Sequence, residues 1–184
     1  MLRRVPTGVL FAVLLFASNA HAQTAQRWSI QLSALGVELT SLTNDELRFG
    51  AGIELQGRYN PGALSIGAGF QSTRHQLANQ LLARDVSVTY TGGFVEPRLI
   101  LGSIGDLVGV YAAVRFMSLS AKFDVAGTET KVDGAAISGG GGLLIRITSR
   151  LNAELGATAG KEYYNRNAEN GTTIVTRLGL AYGL

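Results

Sequence analysis

The chain has 184 residues and no cysteine, carries 16 Lys plus Arg against 13 Asp plus Glu, and is 46% hydrophobic but only 16% charged. That length holds one domain, and the missing cysteines exclude a disulfide framework and a thiolate metal site. Soluble domains usually carry about 25% charged residues, so this chain is apolar for one. Beyond its first residues, however, it has no run near the ~18 apolar residues of a membrane helix.

The first element reads as a leader. Arg3 and Arg4 precede an apolar run from Gly8 to Ala17, and Ala20-His21-Ala22 puts small residues where a signal peptidase reads. The run is too short to anchor in a bilayer, so cleavage after Ala22 is expected. Gln23 follows the cut, where a lipoprotein would need Cys. Residues 1–22 are then a signal peptide and residues 23–184 the folded domain. Two of the 16 basic residues leave with the leader, so the remaining charge nearly balances and gives no argument for nucleic acid.

Strand-like alternation begins at Trp28, with Trp28, Ile30 and Leu32 against Ser29, Gln31 and Ser33. Phe49 to Tyr59 is clearer: odd positions are mostly apolar, and even positions hold Gly50, Gly52, Glu54, Gln56 and Arg58. Asn60-Pro61-Gly62 predicts a tight turn pairing Tyr59 with Leu64, which keeps the apolar faces together. Leu64, Ile66, Ala68 and Phe70 continue on the third strand. The fourth, roughly Val86 to Leu101, loses its alternation near Gly92-Gly93, which suggests a bulge. Val108 to Phe116, Ala135 to Ile147, Leu151 to Ala159 and Arg177 to Leu184 complete eight strands. Long polar connections (40–48, 74–85, 118–134, 161–173) alternate with short ones (60–63, 102–106, 148–150). Long outer loops and short inner turns mark an outer-membrane barrel. The expected fold is therefore all-β, an eight-stranded antiparallel up-and-down transmembrane β-barrel with no spare edge.

A soluble lipocalin-like barrel, binding an apolar ligand in the periplasm, would share the alternation with its faces reversed. The aromatic residues favour the membrane. Phe49, Phe70 and Phe116 are expected at the loop ends of their strands and Trp28, Tyr59 and Tyr182 at the turn ends, as two interfacial girdles. The polar face then lines a narrow lumen with Glu54, Arg58, Glu96, Arg98, Arg115, Arg146, Glu154 and Arg177. Such charges must pair, because an unpaired buried charge is too costly. Inward Gly50, Gly52, Gly67, Gly69, Gly156 and Gly179 should make room for the long Arg side chains.

The terminal residues Arg177, Gly179, Tyr182 and Leu184 fit a pattern of polar, Gly, aromatic and final apolar positions. This resembles the terminal insertion signal of outer-membrane barrels, with Leu184 where Phe or Trp is most common. With the leader and the strand spacing, the mature chain resembles the small OmpA/OmpX-like eight-stranded outer-membrane families. That resemblance implies an outer-membrane location, recognition by the barrel-assembly machinery, and contact with membrane lipid and lipopolysaccharide. A monomer is expected. No cofactor or metal is expected, and no nucleic-acid partner. The role implied is non-enzymatic: structural, envelope-stabilising or surface-interacting, with a filled lumen and no wide pore. One alternative is a lipid A-modifying enzyme at the rim, using His75 with Ser72 and Asp85, since acyl transfer needs a nucleophile and a base in reach.

Overall fold

The computed structural model describes residues 26–39, 49–76, 87–125, 128–164 and 171–184. The expected leader lies outside them, as do Asp85 and the connections 40–48 and 165–170. Eight strands follow one another: β1 (Trp28–Leu39), β2 (Phe49–Tyr59), β3 (Leu64–Gln76), β4 (Ser87–Ile104), β5 (Val108–Val125), β6 (Thr128–Arg146), β7 (Leu151–Tyr164) and β8 (Gly171–Gly183). Every strand pairs antiparallel with its chain neighbour, and β1 pairs with β8 to close the barrel. The expected fold is the observed one. Among the described residues no strand edge is left unpaired, and the closed ladder satisfies each strand's backbone groups within the wall.

Three local expectations need correction. The β2–β3 hairpin is wider than a two-residue turn: Tyr59 pairs with Ile66, not Leu64. Asn60 N–H instead donates to Arg27 O on one side, and Ala63 O accepts from Ile100 N on the other, so neither can close the tight turn. The shift is two residues, so each side chain keeps its face. The bulge is also elsewhere. The β3–β4 ladder runs without interruption past Gly92 and Gly93, and the β4–β5 register shifts between Ile100 and Gly102. The turn below it closes through Gly105 at φ +62°, a left-handed conformation that suits glycine. Finally, residues 118–125 and 128–134, expected in a loop, are strand. β5 continues to Val125 and β6 starts at Thr128, so these two strands and β4 are the longest, at 18, 19 and 18 residues.

The misplaced bulge and the missed strand ends have one cause. Along β5, Val110, Ala112, Val114 and Phe116 point outward, and then so do Ser118, Ser120 and Lys122. The inward set changes in the opposite sense, from Arg115 to Met117, Leu119 and Ala121. On β4, Val88, Tyr90 and Phe94 share the inward face with Glu96 and Arg98. The backbone never slips. On β4 and β5 the environment on each side of the sheet swaps; on β3 only the outer face changes, as Phe70 gives way to Ser72 and Arg74, while the inward residues stay polar at Gln71, Thr73 and His75. The barrel thus has an apolar outer band around a polar interior. Beyond that band, on one side, β3–β6 rise as an extension with a polar outside and an inside that is apolar along β4 and β5.

Candidate functional site

The lumen within the band holds a closed ion cluster. Glu96 is its hub: Oε1 accepts from Arg58 at 2.6 Å and Arg98 at 2.9 Å, and Oε2 accepts from Arg115 at 2.6 Å and Arg177 at 3.2 Å. Glu154 receives Arg98 on both oxygens, at 2.8 and 3.1 Å, and Arg177 at 3.1 Å. Glu54 receives Arg115 at 2.6 Å, and its other oxygen lies in a longer ionic contact of 3.4 Å with Arg177. All seven residues are buried, Glu96 and Arg98 at 0% and 2% exposure. Four guanidiniums and three carboxylates come from β2, β4, β5, β7 and β8, so the cluster ties together strands that are not neighbours. Ionised partners and fork geometry make these the strong class of hydrogen bond.

Seven of the eight residues read as lumen charges meet in this cluster; Arg146 does not. It is half-buried at the turn end of β6, where it pairs with Asn152, one inward position below the Leu144–Glu154 pair. Buried Leu144 fills the inward position above it, together with Ile100, Tyr111 and Ala113. This small apolar cluster separates Arg146 from the carboxylates. Sequence reasoning also missed two aromatic members. Tyr111 donates to Glu154 at 2.8 Å and lies under the Arg98 guanidinium, 3.9 Å from the ring centre. Phe94 holds Arg115 in the same way, at 3.9 Å. The available signal was parity, since Tyr111 is inward with Arg115.

The inward glycines do other work than expected. Only Gly67 makes room for an Arg: a Cβ there would stand 2.7 Å from Arg58 and 2.4 Å from Gln56. Gly156 and Gly142 admit the Tyr111 hydroxyl, Gly50 lies against the His75 ring, Gly52 against Thr73, Gly69 against Phe94, and Gly179 against Ser33.

The girdle residues all face outward. Trp28 and Tyr59 meet at the turn end with ring centres 4.8 Å apart and planes tilted by 42°, and Tyr182 lies at the same end of β8. Phe49 begins β2 at the opposite end. Phe70 and Phe116 are mid-strand and not at strand ends, because β3 and β5 run on past them. They do sit where the outer face turns polar. In the terminal pattern, Arg177 and Gly179 face inward and Tyr182 and Leu184 outward, and Leu184 N–H donates to Trp28 O at 2.9 Å.

Above the ion cluster, Val88, Tyr90, Leu119 and Ala121 pack together with Met117, Phe123 and Tyr164. His75 is fully buried beside them, edge-on to Tyr90 at 5.0 Å, and neither ring nitrogen has a hydrogen-bond partner among the described residues. A cavity of about 30 Å³ adjoins it, lined also by Thr73, Glu162 and Thr173. That is room for a water molecule. Ser72 lies on the outer face, away from the His75 ring, so the two do not form a nucleophile–base pair. The acidic residues Asp124, Glu129 and Asp133, read as loop residues, lie on the β5–β6 extension. Among the described residues no cluster of metal-ligating side chains occurs.

No protein-family model matches the chain, and no curated protein matches it. Solved structures do. Neisserial surface protein A superposes with a TM-score of 0.66 at 14% identity, covering 85% of this chain and 97% of that one. The attachment invasion locus protein Ail of Yersinia pestis gives 0.59 at 17%, with 85% and 97% covered. The outer membrane protein OprG of Pseudomonas aeruginosa gives 0.56 at 10%, with 89% and 98% covered. At such identities the likeness is one of fold, and the fold is that of small eight-stranded outer-membrane barrels.

Proposed function

We propose that this chain is a non-enzymatic outer-membrane protein that presents its β3–β6 extension at the cell surface as an interaction platform, on a barrel that does not conduct. The observation carrying this reading is the double inversion of polarity. The outer band exposes Ile53, Leu55, Phe70 and Val95, which water would penalise and hydrocarbon accepts. The lumen behind it is filled by the ion cluster, with an apolar cluster above it and, at the turn end, Ile100 and Leu144 beside buried Gln31, Ser65 and Asn152. The extension has a polar exterior suited to water. The short turns lie at the other end, which is the periplasmic end in barrels of this kind.

Two solved relatives in fold are named as a surface protein and as an attachment invasion locus protein, and the latter was also solved in complex with the heparin analogue sucrose octasulfate. Those names support a surface-interaction role for the class. Export by the leader, insertion through Arg177, Gly179, Tyr182 and Leu184 by the assembly machinery, and a monomeric state belong to the same proposal.

A single Cys at Glu129, in this Cys-free chain, tests the orientation. An impermeant maleimide should label it in intact cells, and the protein should fractionate with outer membranes and migrate faster unboiled than boiled. Planar bilayers should show no stable pore. Cells carrying the protein should adhere to sulfated glycans more than cells whose β5–β6 extension is replaced by a short turn. Soluble periplasmic recovery or porin-like conductance would reject the reading, and unchanged adherence would reject the platform role.

A further inference from the structure

The ion cluster does not balance. Four guanidiniums face three carboxylates, which leaves one positive charge over in a buried lumen. The pairing shows where the surplus falls. Arg98, Arg115 and Arg177 each meet at least two carboxylates, whereas Arg58 meets Glu96 alone. The other partners of Arg58 are neutral: Ser65 Oγ at 2.9 Å, Gln56 Oε1 at 3.2 Å and the Glu96 carbonyl at 3.5 Å. Arg58 Nε and Arg98 Nε are buried with no hydrogen-bond partner among the described residues. One further acid is buried among those residues, Glu162, and it is bonded to Tyr164. It lies up β7 from Glu154, roughly 26 Å along the strand, at the other end of the lumen.

Arg58 and Arg98 both line a chamber of about 20 Å³ at the turn end of the lumen. The amides of Gln31, Asn60 and Asn152 and the hydroxyl of Ser65 add donors to its wall, and no carboxylate lines it. Ser65 Oγ accepts from Arg58, so its own proton is free for another partner. The upper cavity beside His75 differs, since Glu162 lines it along with Arg115. Asp106 is exposed in the β4–β5 turn and lies outside the chamber wall. Arg146 is the register partner of Asn152 and forms no ion pair among the described residues, so it adds to the positive field at this end. A buried site with surplus positive charge, unused N–H donors and no acid favours an anion, because the charge is costly while uncompensated. The volume admits one particle the size of a water molecule and excludes a tetrahedral oxyanion.

We infer that the turn-end chamber is a binding site for one monatomic anion of the chloride class, held by Arg58 and Arg98, which supplies the missing negative charge of the lumen network. The site belongs to the barrel interior and does not depend on the surface role proposed above.

The test unfolds the full mature chain in phosphatidylcholine vesicles with urea, at a fixed ionic strength of about 0.15 M, as gluconate is replaced stepwise by chloride. Gluconate is too large for the chamber. The urea midpoint should rise with chloride, as it does for any ligand that binds only the folded state. Crystals grown in bromide should show one anomalous peak beside Arg58 and Arg98. Two near-isosteric variants supply the missing charge from the protein itself. Gln56→Glu sets a carboxylate where Gln56 Oε1 already accepts from Arg58, and Asn152→Asp sets one in the chamber wall. Each should weaken halide binding about tenfold or more and flatten the chloride dependence. Either variant suffices if the other does not fold. Equal midpoints in chloride and gluconate would overturn the site, because they would leave only screening. A bromide peak elsewhere, or a chloride dependence that the acidic variants retain, would overturn it as well.

Discussion

Below Phe116, β5 turns Tyr111, Ala113 and Arg115 inward and Val110, Ala112 and Val114 outward; above it, Met117, Leu119 and Ala121 face in and Ser118, Ser120 and Lys122 face out. One strand in one unbroken register thus follows two opposite polarity rules. Within the band the wall behaves as a membrane barrel, whose interior must supply partners for its own charges. Above it the same wall behaves as a soluble barrel, whose interior is held by burial of apolar area. Backbone pairing is indifferent to which rule applies. The side chains record which medium each stretch of wall meets.

The largest effect that can break this comparison lies at the hub of the cluster. Glu96→Ala leaves four buried guanidiniums facing two carboxylates. Removing one partner of a buried ion group costs about 3–5 kcal/mol. Urea unfolding in vesicles, followed by the fluorescence of the chain's one Trp, should show that loss. A change below about 1 kcal/mol would mean that the ions are individually dispensable. In the upper interior, Leu119→Ala should cost about 2–5 kcal/mol by the same assay, through a cavity and not through charge. If Leu119→Ala is silent, the extension is not held by a core.

The outer face gives a paired test. Val114→Arg should cost about 2–4 kcal/mol, and Thr91→Arg, outward on the neighbouring strand but above the band, at most about 1 kcal/mol. Dyes on single Cys residues at the same two positions should be quenched by bromine-labelled lipid at 114 and much less at 91. Similar costs and similar quenching would erase the boundary.

Smaller still, Tyr111→Phe removes one bond to the Glu154 carboxylate and should cost about 1.5–3 kcal/mol without disturbing the cation stack. Arg146→Gln should stay within about 0.5 kcal/mol, because Arg146 lies outside the cluster. A larger loss there would restore Arg146 to the network.

The period-two pattern of residues 49–59 made β2 legible, and the inward parity of Glu54, Glu96, Glu154 and four arginines followed from their strands. A parity count could tell that these charges share a lumen. It could not tell that Leu144 intervenes before Arg146, because that depends on vertical offsets between strands. Near Gly92-Gly93 the sequence misled for a different reason. Hydrophobicity was read as a marker of one face, and that holds only while the medium outside stays the same. Val88, Tyr90 and Leu119 are apolar because they face in, just as Val114 is apolar because it faces out. The polar outer residues Ser118, Ser120 and Lys122 made the β5–β6 extension look like a loop for the same reason. Phe70 and Phe116, expected at strand ends, stand mid-strand where the outer face turns polar.

The sharp change at Phe70 and Phe116 also fixes how deep the barrel can sit. One side-chain repeat along a tilted strand moves the wall by about 5 Å along the membrane normal. A slide of that size one way drags Ser72 and Ser118 into hydrocarbon; the other way, it lifts Phe70 and Phe116 into water. The protein therefore has little freedom to ride up or down when the bilayer around it is thicker or thinner than its band. The lipid must stretch or compress instead, at a modest cost per ångström of mismatch. Each copy then acts as a gauge of fixed height, drawing in lipid of matching thickness and neighbours that share the same strain.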